Sequence, residues 1–454
     1  MKSNHFFLWA LIGLGWVLVA QAQSPVPYHR QPYDLHSGYQ SNLGTREQAQ
    51  PVEIVQAPPG TPWMRVHFGD YNLGANSYLR ITSLLDGATQ RLDQTALRRW
   101  RSASAYFNGD RLRLELHVAP GDRDVFYRID QISVGEYRST AQPEAQVGGE
   151  ESQCGSTDDR VPSDDPAVGR IMPVGCTGWI VSNGAILTAG HCIGSSTDTL
   201  QFNVPDSLSD GTTQNPPPED QYPIEPTADM DWIYDGVGND WAVFETFSNT
   251  ETGLSPVQAQ GAFFRMSKDE QSHASTVRIT GYGIDTGTRN QTQQTHTGDF
   301  LGETTDDATH IYLEYIVDTE GGNSGSPVIV DTPASGWASL TLGIHTNGGC
   351  NPPNTGNLAT SFNNSDLEAA IQDFPGTNVI YVDNDHFDWT TEDGSVLRPY
   401  GTFEQGVSQA AAASGTPILS VVKGTYDEID PTGSSLVIAD PMWIKAPVGT
   451  VLIR

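Results

Sequence analysis

Apolar and polar side chains alternate most clearly over Arg111-Leu112-Arg113-Leu114-Glu115-Leu116-His117-Val118, with the leucines on one face. That period of two belongs to a half-buried β-strand. Further strand-like runs fill the stretch from Trp63 to Tyr137, separated by turn signals such as Asn108-Gly109-Asp110 and Pro120-Gly121-Asp122. Together they predict a small β-sandwich. Residues 167–375 form a longer β-rich block with a helical period only at its end. There Ser365 precedes Glu368 by three positions, which predicts a short helix over Ser365–Phe374 capped by that serine. Beyond Pro375-Gly376 the pattern predicts a strand at Asn378–Val382 and an Ala-rich helix at Phe403–Ala413. Short strands follow at Ile418–Val422, Leu436–Ile438, Trp443–Ile444 and Val451–Ile453. Two stretches lack such patterning: residues 23–60, rich in Pro, Gln and Ser and expected to be a flexible leader, and residues 139–166, a linker open to processing enzymes.

Met1-Lys2, the apolar run Phe6 to Ala20 and the small-residue site Ala20-Gln21-Ala22 have the three parts of a secretory signal peptide cut after Ala22. No later run approaches a membrane span. The expected divisions are therefore 1–22 signal peptide, 23–150 leader with a β-rich unit, 151–375 central β domain, and 376–454 C-terminal module. Charge supports the break near residue 150. Residues 1–150 carry 14 basic and 14 acidic side chains, whereas 151–375 carry 6 and 31, most of the total net charge of −31. Such acidity argues against nucleic acid or an anionic membrane as partner.

The four cysteines are Cys154, Cys176, Cys192 and Cys350. In an exported chain an even number suggests two disulfides, with three pairings open. No C-x-x-C pair is present to anchor zinc, and neither a metal nor a cofactor is expected. The acidic cluster Asp383, Asp385 and Asp388 is read as an exposed turn, with Ca²⁺ as the sharper alternative.

Three motifs carry candidate chemistry: Thr188-Ala189-Gly190-His191-Cys192, Asn239-Asp240-Trp241-Ala242, and Asp318-Thr319-Glu320-Gly321-Gly322-Asn323-Ser324-Gly325-Ser326-Pro327. A serine hydroxyl becomes a nucleophile when a histidine removes its proton, and a buried carboxylate holds that histidine in the productive tautomer. Over residues 167–375 these motifs, in the order His, Asp, Ser, resemble the chymotrypsin-like serine proteases, specifically the bacterial branch containing glutamyl endopeptidases. The resemblance implies an all-β, two-barrel fold and a His191, Asp240, Ser324 triad, with an oxyanion hole from the amides of Gly322 and Ser324. It implies a Cys176–Cys192 disulfide around the histidine loop, which leaves Cys154 and Cys350 to each other. Protein or peptide would be the substrate, and the product of secretion an extracellular zymogen.

The chain departs from animal trypsins at Asn323, where those enzymes carry an Asp that receives the freed N-terminus. Trypsin-style activation is not expected; loss of residues 23–150 as a propeptide is the maturation step favoured, with a retained accessory binding domain as the alternative. The specificity residues give two readings. Asp318, six positions before Ser324, matches the carboxylate of Lys/Arg-cleaving relatives. Thr319 and the run Ile344-His345-Thr346-Asn347-Gly348-Gly349 resemble the acid-specific branch. The C-terminal segment, through Ile380-Tyr381-Val382-Asp383, Arg398-Pro399-Tyr400-Gly401 and Val422-Lys423-Gly424-Thr425-Tyr426, resembles the opening coils of pectate-lyase-like parallel β-helices. A different functional class stays open: a catalytically dead protease fold serving as a secreted binding protein.

Overall fold

The computed structural model describes residues 23–137, 152–226, 228, 230–269, 274–331, 340–350, 356–374, 376–385, 392–427, 436 and 438–454. The signal peptide, the linker at 139–150 and Asp388 lie outside these residues.

The leader unit is a two-sheet sandwich, and residues 23–60 are not a flexible lead-in to it, because Tyr28–His36 and Glu53–Gln56 pair with its later strands. One sheet orders Tyr28–His36, Phe126–Gly135, Trp63–Asn72 and Phe107–Asn108. The other orders Gln48–Ala49, Arg111–Val118, Tyr78–Ser83 and Thr89–Leu92, with Glu53–Gln56 also on Arg111–Val118. The alternation in Arg111–Val118 turns Leu112, Leu114 and Leu116 onto a core shared with Val66, Phe68, Ile81 and Ile129. That core is closed on itself, since every buried member comes from residues 55–134.

The central domain is built from two antiparallel sheets. The first runs Gln221–Pro223, Thr197–Gln201, Val168–Pro173, Cys176–Ile180, Ile186–Thr188, Asp240–Phe244 and Asp231–Tyr234. The second runs Gln294–Thr305, Thr276–Gly281, Pro327–Val330, Leu340–Asn347, Asn357–Ser361 and Ile311–Ile316. Its last strand pairs back onto its first, closing a six-stranded barrel. The chain is thus all-β with the chymotrypsin-like two-barrel arrangement.

The short helix begins as the pattern predicts but is capped differently. Its N-cap is Asn364, not Ser365, because the Asn364 side chain already accepts from the amides of Asp366 and Leu367, both at 2.9 Å. In the C-terminal module Val379–Val382, Ile418–Val421 and Trp443–Lys445 pair in parallel, as do Gly424–Tyr426 and Val451–Ile453. The helix Phe403–Ala412, with a Thr402/Gln405 capping box, buries Phe403 and Val407 in a cluster with Val382 and Leu419.

The flanking parts meet the central domain differently. The leader docks through polar groups: Arg65 Nη1 lies 2.7 Å from Asp198 Oδ2, and the Tyr106 hydroxyl lies 3.1 Å from Asp198 Oδ1. Arg101 donates to the carbonyls of Thr197, Ile224 and Glu225. A small apolar cluster, Val26, Trp63, Tyr106 and Met172, sits beside them. From the C-terminal module, by contrast, Tyr381, Val396, Leu397, Val422 and Val448 belong to the central domain's own core.

Candidate active site

His191 sits in the tight turn Gly190–Cys192 that follows strand Ile186–Thr188, and Asp240 opens strand Asp240–Phe244. These strands are neighbours in the first sheet, so two residues 49 apart in sequence meet. His191 Nδ1 lies 2.6 Å from Asp240 Oδ2, and the His191 amide donates to Oδ1 at 2.9 Å. The backbone N–H and ring nitrogen together fix both oxygens of a carboxylate that is 1% exposed. Asp240 is tied to the second barrel through Thr360, whose hydroxyl donates to the Asp240 carbonyl at 2.9 Å. Gly190 cannot carry a side chain, since a Cβ there would fall 1.8 Å from the Ile233 carbonyl oxygen. The other ring nitrogen of His191, Nε2, is buried with no hydrogen-bond partner among the described residues.

Ser324 lies in the turn between Ile311–Ile316 and Pro327–Val330, and its carbonyl accepts from Thr177 N at 2.9 Å. The turn packs directly on the histidine loop: a Cβ on Gly325 would stand 2.2 Å from Thr188 Oγ1 and 3.0 Å from Ala189 N. Gly322 has φ +103° and would drive a Cβ to within 2.5 Å of the Tyr282 carbonyl. Glycine is therefore required there by conformation and by space. Cys176–Cys192 is bonded and ties the start of one strand to the histidine turn; Cys154–Cys350 is bonded and ties the segment before the first sheet to the residues that follow strand Leu340–Asn347.

His345 lies beside this turn, its amide donating to the Ser326 carbonyl and its carbonyl accepting from Gly325 N, both at 2.8 Å. Its Nδ1 is 2.6 Å from the Tyr315 hydroxyl. Burial pushes the imidazole down to about 3, with His191 adding a smaller effect, so the ring is neutral at ordinary pH. Thr319 is fully buried, its hydroxyl accepting from Asn357 Nδ2 at 2.9 Å. Asp318 faces elsewhere: its two oxygens accept the amides of Cys154 at 2.7 Å and Asp159 at 2.8 Å. Ligand atoms of Asp159, His296 and Asp318 lie within 4.8 Å of one another, but the Asp318 oxygens are already engaged by these amides. Asp383 of the C-terminal acidic cluster instead pairs with Arg265 at 2.6 Å.

Several contributing residues carry no signal in the sequence. Asn364 donates to the carbonyl of Gly238 and to Asn239 Oδ1, steadying the residues just before Asp240. Tyr315 sets the His345 ring, and Arg160 reaches Asn323 from the linker side.

Residues 148–367 match the Trypsin family. The chain carries a trypsin-family domain. Glutamyl endopeptidase of Bacillus licheniformis is similar to it, 31% identical over 183 residues, covering 38% of this chain and 51% of that protein. The chain thus spans about half the length of that curated relative. Among solved structures, protease Anisep from Arthrobacter nicotinovorans aligns with a TM-score of 0.30 and 15% identity, over 44% of this chain and 91% of that one. All the motif residues named above lie inside the trypsin-family domain, and no described helix is long and apolar enough to cross a membrane.

Proposed function

We propose that the chain is the precursor of a secreted serine endopeptidase with a preference for acidic residues. The observation that carries the reading is the His191–Asp240 pair, with a buried, unpartnered Nε2 beside the Ser324 turn. In this mechanism Ser324 Oγ attacks the scissile carbonyl while His191 Nε2 takes its proton. Asp240 stabilises the resulting imidazolium, and the amides of Gly322 and Ser324 receive the oxyanion. The proton passes to the leaving amine, and water then hydrolyses the acyl-enzyme by the same route.

Acid preference is supported by two placements. Asp318, with both oxygens on backbone amides, is committed to holding the 154–159 segment and not to a substrate cation. His345, neutral and held at Nδ1 2.6 Å from the Tyr315 hydroxyl beside the nucleophile turn, is the residue this reading assigns to a substrate carboxylate. The glutamyl endopeptidase similarity points the same way.

The leader acts as an inhibitory propeptide in this reading. Ser24 N donates to the Gly175 carbonyl at 3.4 Å and Val26 N to that of Pro173 at 3.0 Å, while Gln23 Nε2 donates to the His191 carbonyl. Residues 23–26 therefore run from the Pro173–Gly175 turn to the histidine turn, beside the proposed catalytic group.

A phosphonylating reagent is expected to label Ser324 of the secreted protein and to spare Ser324→Ala. Cleavage of a peptide library is expected after Glu or Asp. A strict Lys/Arg pattern would overturn the acid preference, and failure to label would leave the dead-protease alternative standing.

A further inference from the structure

The segment Ser152–Arg160 runs along the back of the nucleophile turn and holds it at successive points. Thr319 N donates to the Ser152 carbonyl at 3.2 Å, and Ser152 Oγ returns a bond to the Thr319 carbonyl at 2.5 Å. Cys154 N and Asp159 N take the two oxygens of Asp318. The segment is fixed in turn by the Cys154–Cys350 disulfide and by Asn357 Nδ2, which donates to the Ser152 carbonyl at 2.7 Å.

Its last residue reaches furthest. The Arg160 side chain is 2% exposed. Its Nη1 is 3.5 Å from Asn323 Oδ1, the oxygen that also accepts Glu320 N at 3.0 Å. Its Nη2 donates at 2.8 Å to the carbonyl of Ile284, and the Ile284 amide donates at 2.8 Å to the carbonyl of Gly321. One guanidinium thus bears on both sides of Gly322, through Asn323 directly and through Gly321 by way of Ile284. Its rigid fork of donors suits two acceptors at once, and Asp158 at 2.6 Å supplies its counter-charge. Gly283 leaves the space for this: a Cβ there would lie 2.2 Å from Asn323 Oδ1 and 2.3 Å from Arg160 Nη1.

We propose that Arg160 is a positioning residue that sets the oxyanion turn, an internal cation serving a neutral Asn323, so that the turn is ordered without a newly freed N-terminus. This inference rests on the endopeptidase reading. It requires that maturation leave residues 152–160 in place.

The protein as secreted is compared with Arg160→Gln, Arg160→Lys and Asn323→Asp, by steady-state hydrolysis of a Glu-containing chromogenic peptide and by phosphonate labelling. A turn that has lost its positioning loses transition-state stabilisation and not ground-state binding. Arg160→Gln is expected to lower kcat by about 10-fold or more with KM within about twofold, and Arg160→Lys to recover part of the loss. In Asn323→Asp the new carboxylate meets Arg160, and labelling is expected to stay within about threefold of the parent. A folded Arg160→Gln protein with parental kcat overturns the inference. If Arg160→Gln fails to fold, Asn323→Asp decides, and a fall beyond about 10-fold, the signature of an unpaired buried carboxylate, overturns it. A parent that never labels at Ser324 overturns the endopeptidase reading and this inference with it, whereas a labelled parent unaffected by the substitutions overturns this inference alone.

Discussion

The leader and the C-terminal module flank the same domain, yet one is docked on it and the other is fused into it. The leader keeps most of its apolar residues for its own sandwich, gives Val26, Trp63 and Tyr106 to a small cluster with Met172, and presents Arg65, Arg101 and the Tyr106 hydroxyl to the first barrel. The C-terminal module sends Tyr381, Val396, Leu397, Val422 and Val448 into the central core and adds the Arg265–Asp383 and Arg398–Asp269 pairs. A contact made of polar groups can be re-solvated when it opens, whereas a shared apolar core cannot be opened without exposing both sides. The leader's contact is the one that can reopen, and the module's is the one that cannot.

The largest effect expected is from truncation. Each fully buried Val or Leu side chain contributes about 1.5–3 kcal/mol, so a chain ending at Phe374 forfeits an amount comparable with the about 5–15 kcal/mol of a whole domain. Such a chain is expected to be insoluble or to lack a cooperative thermal transition by calorimetry, while a chain beginning at Ser152 retains one. The reverse outcome would dissolve the contrast between the two flanks.

Next comes Arg65→Met. It leaves Asp198 facing a partly buried interface without its cation, which costs about 3–5 kcal/mol. In a chain nicked within residues 139–150, the leader should then separate on gel filtration at concentrations where the parent stays whole. Retention equal to the parent would show that the apolar cluster around Trp63 and Met172, not the ion pair, holds the leader.

Near neutral pH the smallest effect is that of two histidines, and it separates the two units as the pH falls. Burial, with help from Arg65 and Arg30, pushes His67 of the leader down to about 3, as burial does to His345 in the central domain. Both imidazoles are neutral when folded, and an unfolded imidazole gains its proton near pH 6.5. Each therefore contributes its stability fully above about pH 6.5. Between there and pH 3 that contribution declines, by up to about 1.4 kcal/mol per pH unit. His67→Asn should flatten the acid dependence of leader unfolding alone and His345→Asn that of the central domain alone, followed by hydrogen exchange in each segment. A change that appears in both at once would mean the two unfold as one.

How much of this could be read beforehand follows the range of the interactions involved. The strand Arg111–Val118 was legible because its period of two needs no partner to be recognised, and the trypsin-family domain because its motifs are local. The docking of the leader was not legible, since Arg65 and Asp198 are 133 residues apart and neither sits in a motif. The surroundings of Asp318 were not legible for the same reason. Its spacing from Ser324 is local, but the direction of its side chain is set by amides at 154 and 159. The cap of the short helix slipped by one residue because Asn364 is also pinned by Gly238 and Asn239, a tertiary demand that the Ser365–Glu368 pattern does not contain.

The Cys154–Cys350 bond joins residues 196 apart in sequence. Any single break of the chain between them leaves both pieces on one covalent skeleton. For a protein proposed to live among copies of a peptide-cutting enzyme, that makes damage divisible into two kinds. A nick outside the loop removes a flank from that covalent skeleton, whereas a nick within it adds only one water to the mass of the unreduced molecule and leaves the fragments tied beside each other.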